Sequence, residues 1–91
     1  MKKPVILCVD DEKIILDSLE EQINARLGKD FDIEVAESGE EGLEIIEELE
    51  EEGRELAVVI SDQLMPGMKG ADFLIKVHER NQDALKILLT G

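Results

Sequence analysis

The sequence predicts a parallel α/β domain, a sheet wound with helices on both faces. Three features predict it. Short apolar, β-branched runs alternate with longer stretches in which apolar residues recur every three or four positions. The links between them are short, as expected for crossovers between parallel strands. The first run is apolar at every position, the pattern of a strand buried on both faces.

The elements follow in order. Val5 to Val9 is the first strand, and carboxylates come directly after it. Leu16, Leu19, Ile23 and Leu27 repeat with helical spacing, and Gly28 is the stop. Ile33 to Ala36 is a short second strand. A helix from about Gly39 to Glu52 turns Leu43, Ile46 and Leu49 inward and its glutamates outward. Val58, Val59 and Ile60 form the third strand, which ends in Ser61 and Asp62. Pro66, Gly67 and Gly70 punctuate a loop. Ala71, Leu74 and Val77 mark a third helix, and Lys86 to Thr90 is the fourth strand, followed by Gly91. There is no internal repeat and no linker, so residues 1–91 form one domain. The acidic block from Glu47 to Glu52 reads as a solvated helix face rather than a metal or docking site.

Composition excludes whole classes of function. Ten basic residues face 23 acidic ones, for a formal charge of −13, which repels nucleic acid and anionic membrane. Aromatic residues are 2% of the chain, with no Trp or Tyr, too few for base-stacking platforms. A hydrophobic content of 43% suffices for a core despite the acidity. The single cysteine, Cys8, excludes an internal disulfide and a Cys-based zinc site, and within the first strand it serves as a small hydrophobe. Lys2 and Lys3 precede an apolar run too short for a secretory signal or a membrane span, which needs about 20 residues. A cytoplasmic protein is expected.

Ligands of open parallel sheets bind beyond the carboxyl ends of the strands. Asp10 and Asp11 follow the first strand and Asp62 ends the third. If those strands are neighbours, three carboxylates converge and repel unless a cation neutralises them. An all-oxygen site of this charge suits Mg²⁺, which could bring a phosphoryl group to a carboxylate nucleophile. Each residue has a plainer role available. Asp11 could be a helix N-cap, Asp62 a turn residue, and Thr90 a β-branched strand residue.

The run Ile6-Leu7-Cys8-Val9-Asp10-Asp11-Glu12, the string from Val59 through Asp62, Met65-Pro66 and Met68 to Gly70, and Leu88-Leu89-Thr90-Gly91 resemble the receiver domain of two-component response regulators. The resemblance covers the whole chain, in order. It implies a flavodoxin-like doubly wound sheet of strand order 2-1-3-4. It implies that Asp62 accepts a phosphoryl group from a sensor histidine kinase or phosphotransfer protein, making the chain a switch rather than an enzyme. Asp11 would bind Mg²⁺ directly and Asp10 mainly through water. The backbone carbonyl of Leu64 would be a further ligand, with Asp62 beside it, and Thr90 matches the switch hydroxyl.

The family continues into a fifth strand and two more helices, and the lysine that follows its fifth strand has no counterpart among Lys69, Lys76 and Lys86. A receiver domain truncated after its fourth strand is therefore expected, either a fragment or a degenerate copy. The alternatives are a pseudo-receiver that works without phosphate and a Mg²⁺-dependent phosphohydrolase. The last prefers an Asp-x-Asp pair, and here Glu12 stands two beyond Asp10. A fourth strand left as a bare apolar edge predicts a homo-oligomer.

Overall fold

The computed structural model describes residues 2–90. The chain order is β1 (Val5–Val9), α1 (Lys13–Leu27), β2 (Asp32–Ala36), α2 (Gly39–Glu51), β3 (Leu56–Asp62), α3 (Gly70–Arg80) and β4 (Leu85–Leu89). All strand pairs are parallel and the sheet order is β2-β1-β3-β4. The expected flavodoxin-like order 2-1-3-4 is thus observed.

β1 is central because its sequence can be nowhere else. All five residues of Val-Ile-Leu-Cys-Val are buried, and each large apolar side chain so placed stabilises the fold by about 1.5–3 kcal/mol. Alternate residues serve opposite faces. Val5, Leu7 and Val9 join Ile46 and Leu49 of α2 and Phe73 and Val77 of α3 in the larger cluster. Ile6 and Cys8 pack with Leu16 and Ile23 of α1 on the other side.

The α2 start is well specified. Ser38 Oγ accepts from Glu41 N–H at 3.1 Å, and the Glu41 carboxylate accepts from Glu37 N–H at 3.3 Å. This is a near relative of the capping box, with Glu40 and Glu41 also favoured by the helix dipole. At the far end of the sheet Arg54 donates to the Lys3 carbonyl at 2.8 Å and pairs with Asp32 at 2.6 Å. One guanidinium therefore ties the chain before β1 to the first residue of β2.

Several boundaries and faces differ from expectation. β4 is Leu85–Leu89 rather than Lys86 to Thr90, because its ladder to β3 closes where Gln63 N–H donates to the Leu89 carbonyl. The buried residues of α3 are Gly70, Phe73 and Val77, so Ala71 and Leu74 flank the contact and Phe73 centres it. In α1 only Leu16 is buried, while Leu27 is 42% exposed. Among the described residues no other helix packs on its face of the sheet, so the outer part of its apolar stripe is left uncovered there.

Candidate functional site

β1 and β3 are neighbours, so their carboxyl ends bring three acids together. Oxygen atoms of Asp10, Asp11 and Asp62 all lie within 4.8 Å of one another. Asp10 is buried, Asp62 half-buried and Asp11 exposed. Asp10 is held in place on both sides. Its N–H donates to the Ala36 carbonyl of β2, and its Oδ1 accepts from Glu12 N–H at 2.9 Å.

Burial is the main force raising the Asp10 pKa from its ordinary value, and the charges of Asp62 and Asp11 add to it. The Glu12 N–H hydrogen bond opposes the rise without cancelling it. This carboxylate is short of compensating charge. The donor set fits a small hard cation: three carboxylates, one buried and two reachable from solvent.

The plainer roles do not hold for the acids. Glu12 is the N-cap of α1 and no side chain caps that helix, so Asp11 is not spent on capping. Asp62 is the last residue of β3 rather than part of a turn. Thr90 is exposed and follows β4 directly. It stands one residue beyond Leu89, the register partner of Asp62. Lys86 Nζ lies 2.9 Å from His78 Nδ1, an exposed contact with α3.

The loop from Gln63 to Lys69 follows Asp62 directly and leads into α3. Leu64 is 68% exposed, and Met65 folds under the loop into the core. Gly67 takes φ +77°, where a side chain would be strained. The sequence reading missed Gln63. Its side-chain Oε1 accepts from Ala71 N–H at 2.8 Å, and no local pattern signals a contact spanning eight positions across a loop.

Comparison with known proteins agrees with this geometry. The family model for the response regulator receiver domain matches residues 6–91. The chain is 29% identical over 90 residues to the hydrogenase transcriptional regulatory protein HoxA of Cupriavidus necator, covering 99% of this chain and 17% of that protein. It is 33% identical over 86 residues to the sensor kinase CckA of Brucella abortus, covering 94% of this chain and 8% of that one. The chain therefore spans a small part of these curated relatives. Among solved structures, the response regulator TrrA of Thermotoga maritima, in complex with Mg²⁺-BeF, superposes with a TM-score of 0.77 at 33% identity, covering 96% of this chain and 69% of that one. A match across nearly the whole sequence, the 2-1-3-4 sheet and the acids at its strand ends lead to one conclusion: the chain belongs to the response regulator receiver domain family of two-component signalling.

Proposed function

We propose that this domain receives a phosphoryl group on Asp62 from the phosphohistidine of a sensor kinase or phosphotransfer protein. The observation that carries the reading is the convergence of Asp10, Asp11 and Asp62 at the ends of two adjacent strands. An Asp62 carboxylate oxygen attacks phosphorus, the P–N bond breaks as the O–P bond forms, and the imidazole leaves with the electron pair and takes up a proton. Positioning and charge compensation are most of what such a transfer needs. Asp11 and Asp62 would hold Mg²⁺ together with the Leu64 carbonyl, and Asp10 mainly through water. When bound, the ion supplies the positive charge that the cluster lacks and that the incoming phosphoryl oxygens require. Thr90 is the hydroxyl that senses the new acyl phosphate.

The chain is thus a switch that assists its own phosphorylation and dephosphorylation, without turnover of an outside substrate. Residues 1–91 are the receiver up to its fourth strand. No helix among the described residues is long and apolar enough to cross a membrane, and the charge of −13 disfavours nucleic acid. The domain meets its kinase, on this reading, in the cytoplasm. A second copy of the chain covers the apolar side of β4.

The test is direct. Acetyl phosphate with Mg²⁺, borohydride trapping and peptide mapping should label Asp62 alone, and Asp62→Asn should abolish the label. Undiminished labelling in that variant, or labelling elsewhere, would overturn the assignment. A wild-type chain that takes no label but still binds its partner would favour the phosphate-independent module.

A further inference from the structure

We infer that Gln63 is a positioning residue for the phosphoryl-accepting site, a reading that rests on the assignment of Asp62 above. Gln63 makes three hydrogen bonds, one to β4 and two to the first turn of α3. Its N–H donates to the Leu89 carbonyl of β4 at 3.2 Å, and its carbonyl accepts from Gly70 N–H at 3.2 Å. Its Oε1 accepts from Ala71 N–H at 2.8 Å in a partly buried setting.

The third bond does the work of a missing cap. Lys69, the N-cap of α3, offers no side-chain acceptor to the first turn, so Gln63 supplies one from across the loop. Together the two bonds to α3 close residues 64–69 into a ring whose both ends meet at Gln63. That ring holds Leu64, the proposed carbonyl ligand, and it abuts the phosphoacceptor itself. A Cβ on Gly70 would lie 2.2 Å from the Asp62 carbonyl oxygen, so the start of α3 rests directly on the Asp62 main chain. Releasing the cap lets this contact and the Leu64 carbonyl drift, and small displacements of reacting groups are costly.

The control is Asn81, whose Oδ1 accepts from Asp83 and Ala84 N–H groups at the other end of α3. Wild type, Gln63→Leu, Gln63→Asn and Asn81→Ala are titrated by NMR with Mg²⁺ alone and with beryllofluoride plus Mg²⁺, and their thermal stabilities are measured separately. Gln63→Leu should weaken both affinities roughly fivefold to tenfold, the effect of one lost hydrogen bond. Asn81→Ala should lose stability but bind as wild type does. Wild-type affinity in Gln63→Leu overturns the proposal, as does a parallel loss in Asn81→Ala. Should Gln63→Leu fail to fold, Gln63→Asn carries the test, since its amide is one methylene too short for Ala71: weakened binding supports the role and wild-type binding overturns it. A wild-type chain that binds no beryllofluoride removes the Asp62 assignment and the role of Gln63 with it.

Discussion

Cys8 has no exposed surface in the middle of β1, and burial raises its thiol from near 9 to about 11, with the Glu20 charge adding to the shift. The native state therefore keeps a proton that the unfolded chain gives up first. The stability this contributes is complete below pH 9 and is lost as pH rises to about 11. Urea unfolding between pH 8 and 11 should fall more steeply for wild type than for Cys8→Ala, by about 1–3 kcal/mol at the alkaline end. Equal slopes would show that the thiol does not titrate differently in the two states. Asp11 offers a second test. Mg²⁺ bound to the native cluster alone should add about 2.7 kcal/mol at a hundredfold excess over its Kd. Asp11→Ala should lose most of that gain and Glu37→Ala should keep it, whereas equal responses would mean diffuse binding to the acidic surface. The acids were legible in the sequence because each stands at the carboxyl end of an apolar strand, where a parallel sheet must present it. Gln63 was not, because its role depends on where the loop returns the chain.

At the level of the element, α2 and α3 meet over Gly42. A Cβ there would lie 2.9 Å from two ring atoms of Phe73, which is fully buried. Gly42→Ala should gain about 1 kcal/mol of helix propensity yet lower net stability by about 1–2 kcal/mol through overpacking. Adding Phe73→Leu should make the Gly42→Ala change less costly than it is beside Phe73; additive effects in urea unfolding would show that the two positions do not couple. The helical period announced both helices, and glycines and prolines marked the loop between β3 and α3. The inward face of α3 was harder to read. Ala71, Leu74 and Val77 and the pair Phe73 and Val77 both satisfy helical spacing, and the choice is made by the groove that Gly42 opens. For α1, the apolar stripe was visible but not its incomplete cover, because cover depends on neighbours outside the stripe.

Among the described residues the unbalanced feature is β4. Leu85, Ile87 and Leu89 are 59%, 36% and 40% exposed. Leu85 and Ile87 pair in register with Val58 and Ile60, which belong to the α1 side of the sheet, and Leu89 with Asp62, so these side chains extend that face past the last covered strand. An apolar edge of this kind drives association, and the charge of −13 per chain opposes it. Light scattering of residues 1–91 alone should therefore show a dimer or larger species that strengthens with both protein concentration and salt. A monomer at millimolar protein and high salt would refute it. The parallel order and the two-faced core followed from the sequence because β1 is apolar throughout and the crossovers are short. The lopsided cover of the sheet emerges only when the helices are counted face by face. β1 is paired on both edges and packed on both faces, while among the described residues β4 is paired on one edge and half bare. Amide hydrogens of Ile6, Leu7 and Cys8 should exchange with solvent deuterium only when the whole chain unfolds, and those of β4 through local fraying at far lower free energy. Residues 2–90 then open from the Thr90 side inward: β4, paired with Asp62 at its end, is the first to loosen, and β1, which leads directly into Asp10 and Asp11, is the last.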